Sequence, residues 1–126
     1  MTQTIQAAAP SLPELFSAVA AAISRLAGSG GEATLREKVA IGGETLDGLL
    51  REWAQRLVDF AQNERLVFHA FDIQVSDHGT RLQAEMIGGW LDEKPWRDVQ
   101  VIAVKMTSTS NGYQVFMDLK GSDAAV

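Results

Sequence analysis

The chain has 126 residues, a net charge of −5 and 46% hydrophobic residues, which suits one soluble domain with a hydrophobic core. The acidic balance argues against direct nucleic-acid binding of the non-specific kind, and the absence of cysteine excludes disulfides, thiolate metal sites and a cysteine nucleophile. The longest apolar run near the N-terminus is too short to span a bilayer and follows no basic segment, so we expect a cytoplasmic protein without a membrane segment.

Residues 1–9 predict a short strand, and a helix follows. Ser11 and Glu14 have the spacing of a capping box, and Pro13 lies in the first turn, where its missing N–H costs nothing. Six apolar residues then recur at helical spacing, and Gly28 begins a glycine-rich turn that predicts the end of the helix. The apolar stripe consists of Leu12, Leu15, Phe16, Val19, Ile23 and Leu26.

Residues 33–42 alternate between apolar and polar positions and predict a strand with one buried face. Residues 45–62 predict the main helix, with Thr45 as its N-cap. The apolar stripe of this helix consists of Leu46, Leu49, Leu50, Trp53, Leu57 and Phe60. We expect Trp53 at the centre of the core, with a polar partner for its indole N–H.

The remaining chain predicts four strands. In residues 65–76 the pattern puts Val67, His69, Phe71, Ile73 and Val75 on one face, and residues 77–79 form a hairpin loop. Residues 80–87 form the returning strand, with Leu82, Ala84 and Met86 on one side, and residues 88–97 form a loop. From residue 99 both faces are apolar, which predicts a central strand. A turn at Asn111 and Gly112 leads to the last strand, residues 113–119.

This order, β-α-β-α-β-β-β-β, predicts an α+β fold in which two amphipathic helices pack on one face of a largely antiparallel sheet. Residues 1–120 form a single domain in this interpretation, and residues 121–126 form a frayed tail.

The sequence contains few residues that are candidates for catalysis or metal binding. His69 is expected to be a hydrogen-bonded core or boundary histidine rather than a ligand or base, and His78 lies at a hairpin tip. Asp92 and Glu93 are expected to be a solvated pair in a loop. Asp118 falls opposite the apolar face of the last strand, which is typical of an exposed carboxylate. No nucleophile–base pair and no metal cluster can be assembled, so the chain is not expected to be an enzyme.

The loop of residues 88–97 contains two tryptophans, Trp90 and Trp96, on either side of charged residues. They are candidates for a partner contact, because aromatic anchors dominate protein interfaces, with Lys94 and Arg97 setting the charge at the rim. The alternative is that one or both pack beneath their own loop, and the sequence leaves both readings open.

Five segments of the sequence together resemble the sequence pattern of a known protein family. They read SLPELFSAVAAAIS, VAIGGETLDGLLREWAQRLVDFAQNERLVFHAFDI, RLQAEMIGG, VIAVKMT and GYQVFMDL. They resemble the archease family, small proteins associated with the tRNA-splicing RNA ligase of the RtcB type. The resemblance spans residues 5–119, is carried mainly by core positions, and implies the archease fold.

The resemblance also implies a metal site. The family opens with a D-H-T-A-D segment whose last Asp helps to hold a divalent cation; it aligns at about Thr2, so we expect this motif to be missing. Asp118 matches the family's other metal carboxylate. A family lysine aligns with Ile102, and Lys105 lies three residues further on, on the opposite face. We therefore expect no cofactor, or a weakly bound Ca²⁺ or Mg²⁺, because these ions need several oxygen ligands.

The resemblance implies a non-enzymatic accessory protein that assists an RtcB-type tRNA-splicing RNA ligase as its protein partner. The alternative is a divergent archease-fold interaction or scaffolding module that has lost the metal-dependent role. For the first function we expect the contact at the end of the sheet that carries the N-terminus, Asp118 and the loop of residues 88–97. The resemblance also implies that the first and last strands are neighbours.

Overall fold

The computed structural model describes residues 2–28, 35–76, 80–91 and 98–121. Their elements are β1 (Thr2–Ala9), α1 (Leu12–Ala27), β2 (Leu35–Gly42), α2 (Leu46–Asn63), β3 (Leu66–Val75), β4 (Arg81–Trp90), β5 (Gln100–Thr109) and β6 (Gly112–Lys120). The predicted α+β fold and the order β-α-β-α-β-β-β-β are confirmed. No helix in these ranges is long and apolar enough to cross a membrane. The predicted hairpin tip with His78, the pair Asp92–Glu93 and the tail beyond Gly121 lie outside the described residues.

The six strands form two antiparallel sheets of three strands each. Sheet A has the order β1-β6-β5, and sheet B has the order β2-β4-β3. The first and last strands are therefore neighbours, as expected, with Ile5 opposite Met117. The expected central position of the strand after residue 99 is wrong, because β5 is an edge strand and β6 is central.

A β-bulge explains why β5 is apolar on both faces in the sequence. Val101 pairs with Leu119, but the next pair joins Ala103 to Asp118, so Ile102 is an extra residue. The extra residue reverses the alternation. Val101 before the bulge and Val104 after it consequently pack against the same core.

A second bulge lies in β3 and corrects the prediction for His69. Phe68 pairs with Gly88, whereas Ala70 pairs with Ile87, so His69 is the extra residue. Its side chain is exposed, not part of the core or its boundary. The predicted common face from Val67 to Val75 is therefore wrong over its first part.

The helices begin where the sequence predicts. The Ser11 hydroxyl accepts a hydrogen bond from Glu14 N–H at 3.4 Å, and the Thr45 hydroxyl accepts one from Gly48 N–H at 3.0 Å. Both hydroxyls satisfy amides that have no partner inside the helix. Leu26 is an exception to the predicted α1 stripe, because 37% of it is exposed.

The core lies between the helices and the inner faces of both sheets. Trp53 is fully buried, and its Nε1 donates a hydrogen bond to the Phe16 carbonyl oxygen at 3.0 Å. Its ring meets Phe16 and Phe71, each at a centroid distance of 6.5 Å. The prediction for Trp53 is confirmed.

Strand β4 extends further than predicted. Gly88, Gly89 and Trp90 belong to the strand rather than to a loop. A Cβ at Gly88 would collide with the Val67 carbonyl oxygen, so this position admits only glycine while β3 and β4 keep their spacing. The extension places Trp90 opposite Leu66, at the start of β3.

Candidate functional site

Asp118 lies on the outer face of sheet A, the face that points away from the helices. Its neighbours along β6, Met117 and Leu119, are buried, whereas Asp118 is partly exposed. Thr4 pairs with Asp118 across the β1–β6 ladder, and the Thr4 hydroxyl donates a hydrogen bond to Asp118 Oδ1 at 2.8 Å. The meeting of the first and last strands thus orients one carboxylate on an open face.

The bulge in β5 decides which lysines share this face. Lys105 pairs with Phe116, which lies two residues before Asp118 on the same side of β6. Lys120 lies two residues beyond Asp118 and pairs with Thr2. Alternation from Ile102 alone could not predict this placement, because Ile102 is itself the extra residue.

These groups do not fit a Ca²⁺ or Mg²⁺ site. The described ranges contain no cluster of three or more His, Asp or Glu side chains that could hold a metal ion. Asp118 supplies one carboxylate, the Thr4 hydroxyl already donates to it, and Lys105 and Lys120 add positive charge on the same face. A hard cation requires more oxygen ligands and more negative charge than this arrangement offers.

Comparison with known proteins adds a decisive observation. The family model for the archease protein family matches residues 3–117, nearly the whole chain. The chain belongs to the archease family. Archeases are known as non-catalytic accessory proteins. The comparison with curated proteins gave no match.

The archease match includes Thr4 but ends one residue before Asp118. Asp118 thus lies outside the matched region, within the FMDL segment that resembles the family's last strand. The geometry of the sheet agrees with the expectation from the resemblance, because Asp118 lies in the last strand beside the first strand.

The second group of expected site residues is only partly described. Trp90 is 59% exposed at the end of β4, whereas Lys94, Trp96 and Arg97 lie outside the described residues. The exposure of Trp90 agrees with a partner contact, and the choice between a contact and packing beneath the loop stays a prediction for both tryptophans.

Contacts around the end of α2 relate Trp90 to Asp118. Gln62 near this end hydrogen-bonds to both backbone groups of Val99, and Val99 directly precedes β5. The first residue of β5 pairs with Lys120, at the Asp118 end of β6. Strand β3, which starts opposite Trp90, follows α2 in the chain. Trp90 and Asp118 thus lie at the same end of the molecule, on different sheets.

Two features of the structure were not predicted from the sequence. The first is Phe116, which is 42% exposed on the outer face of sheet A. The sequence contains a signal for this exposure, because Phe116 lies between the apolar residues Val115 and Met117, and alternation along the strand places it on the opposite, polar face. The other feature is a polar row on α2. Arg51 donates to the Ile102 carbonyl oxygen at 2.8 Å, and Gln55 Oε1 accepts from Val101 N–H at 2.8 Å. This row satisfies backbone groups at the edge of β5, so α2 protects part of that edge.

Proposed function

We propose that this archease-family protein is a non-catalytic accessory protein that assists an RtcB-type tRNA-splicing RNA ligase in the cytoplasm. Membership of the family supports the accessory role, and the carboxylate of Asp118, oriented by Thr4 on an uncovered sheet face, is the observation that carries the proposal. A carboxylate in this position can accept charge-assisted hydrogen bonds from a basic group of a partner.

The proposed contact surface consists of Asp118 and Thr4 on sheet A and Trp90 at the end of sheet B. Asp118 supplies charge, and the exposed indole of Trp90 supplies an apolar anchor at the same end of the molecule. Such a combination is typical of interfaces in which a few aromatic and charged residues carry most of the binding energy.

The chemistry of the described side chains supports an accessory role over catalysis. His69 is exposed at a bulge and has no hydrogen bond to a carboxylate or hydroxyl within the described ranges. A nucleophile or general base normally needs such a partner to orient and activate it. We therefore assign the chemical step to the ligase.

A ligation assay tests this proposal. Multiple-turnover RNA ligation by the RtcB-type ligase of the same organism is measured with and without the protein. We expect the wild-type chain to stimulate ligation, and we expect Asp118→Asn to bind the ligase about 10- to 150-fold more weakly, since a hydrogen bond to a charged group contributes roughly 1.5–3 kcal/mol. Asp72→Asn, an exposed acid on sheet B, is the matched control and should stimulate as wild type does.

The second candidate is an interaction or scaffolding module without the activating role. The observation that favours it is that the described residues place a single carboxylate, Asp118, on the outer face of sheet A, which does not fit a metal site. Co-purification of the ligase without any stimulation would support the module. Absence of both binding and stimulation by the wild-type chain would refute the ligase partnership.

A further inference from the structure

Phe116 lies at the middle of an open sheet face. It occupies the central strand of sheet A, with Gln6 of β1 opposite on one side and Lys105 of β5 opposite on the other. Phe116 is 42% exposed, while Val115 and Met117 on either side point into the core. An aromatic ring at this position is not needed for the core, since the core already fills the other face.

The charges on this face differ from those of the whole chain. Directly opposite residues share a face of a sheet, so within the described ranges the pairing assigns three charged residues to this face, Lys105, Lys120 and Asp118, whose charges sum to +1. Neither lysine forms an ion pair within the described residues, whereas Arg36 on sheet B pairs with Glu85 at 3.0 Å. A chain with net charge −5 thus presents a locally basic face around an exposed aromatic ring.

We propose that the outer face of sheet A binds short single-stranded RNA, with one base stacked on Phe116 and the flanking phosphates bound by Lys105 and Lys120. Unstacked bases bind to exposed aromatic rings on sheets, and lysines alongside follow the backbone. The Gln6 amide, opposite Phe116, can hydrogen-bond to a 2′-hydroxyl, the group that distinguishes RNA from DNA.

The spacing of the lysines favours an oligonucleotide over a mononucleotide. Lys105 is directly opposite Phe116, and Lys120 lies four residues along β6, about 13 Å away at roughly 3.3 Å per residue. Two cations at these positions are too far apart to converge on one phosphate group, and Asp118 lies between Phe116 and Lys120 on the same face of β6. The proposal is independent of the ligase partnership, because the isolated protein is sufficient to test it.

Fluorescence anisotropy with a labelled eight-nucleotide oligoadenylate at low salt is the test. We expect saturable binding with a dissociation constant of about 10⁻⁴ M, at the weak end of non-specific binding. Phe116→Ala should weaken binding roughly 5- to 150-fold, the range for loss of one stacked base, while Leu26→Ala, at an exposed apolar residue on α1, should not. Lys105→Gln should lower the salt slope by about 0.7, the value for one phosphate contact on a single strand, and Lys38→Gln on sheet B is its control.

Three results would overturn the inference. The first is absence of saturable binding at about 1 mM RNA, above the usual non-specific range. The second is an equal effect of Phe116→Ala and Leu26→Ala on RNA binding. The third is equally tight binding of adenosine monophosphate or of DNA of the same sequence. If Phe116→Ala abolishes ligase stimulation while the wild-type chain binds no RNA, the face is a protein contact instead. Ligase stimulation without RNA binding leaves the proposed accessory function intact and refutes only the RNA site.

Discussion

Trp53→Ala tests whether the stripe of α2 forms the centre of the core. The indole is fully buried and contacts rings from α1 and β3, so its loss opens a cavity where three elements meet. An aromatic side chain buries roughly 150–250 Å², which corresponds to about 4–6 kcal/mol at ~25 cal/mol/Å². Residual burial in the unfolded chain lowers such values by about 10–40%, so we expect a loss of about 3–5 kcal/mol.

Urea unfolding followed by circular dichroism measures this loss, because the substitution itself alters the fluorescence. Trp53→Phe tests the hydrogen bond to the Phe16 carbonyl oxygen separately from the packing of the ring, because it keeps most of the apolar area and removes the donor. We expect this loss of the donor to lower the free energy of unfolding by about 0.5–1.5 kcal/mol. This variant also keeps the test informative if Trp53→Ala does not fold. Trp90→Ala is the matched control, and its exposed ring predicts a change within about 0.5 kcal/mol.

A change below about 1 kcal/mol for Trp53→Ala would refute the packing argument, because cavity formation at a fully buried aromatic residue costs more. A loss of equal size for Trp90→Ala would refute the contrast between the two tryptophans. It would mean that Trp90 stabilises the fold, and the proposed contact surface would lose its apolar anchor.

Three further predictions concern backbone spacing, the edge of sheet A and metal binding. Gly88→Ala should lower the free energy of unfolding by more than about 1–3 kcal/mol or prevent folding, because the added Cβ meets the backbone of β3. Gly42→Ala is the control and should fold normally, because its added Cβ has its nearest contact at 3.9 Å. Comparable unfolding curves for the two variants would contradict this prediction. Gln62→Ala should cost about 1–3 kcal/mol in thermal or urea unfolding, because it leaves two backbone groups of buried Val99 without their partner; a change near zero would show that water replaces the amide. Calorimetric titration with Ca²⁺ or Mg²⁺ should give no binding in the low micromolar range, and a dissociation constant in that range that Asp118→Ala abolishes would overturn our reading of the site.

The sequence was sufficient for the helices and most strands because their signals are local. The cap of α2 at Thr45 and the apolar stripe around Trp53 depend on side chains within a few turns, and both agree with the structure. The prediction of an outward-facing Asp118 also followed from alternation within one strand. Family membership likewise follows from the sequence alone, because the family model matches residues 3–117.

Only the tertiary structure decided how the strands are distributed and which side chains share a face. A bulge is invisible to alternation, because its extra residue is defined by the partner strand, as His69 is by β4 and Ile102 by β6. The position of β5 at an edge likewise depends on Gln55 and other polar residues of α2, which are distant in sequence and satisfy its backbone. The edges of the sheets, the faces of residues beyond a bulge and the lysines that share a surface with Phe116 therefore follow from contacts between distant segments, which side-chain periodicity within one segment does not determine.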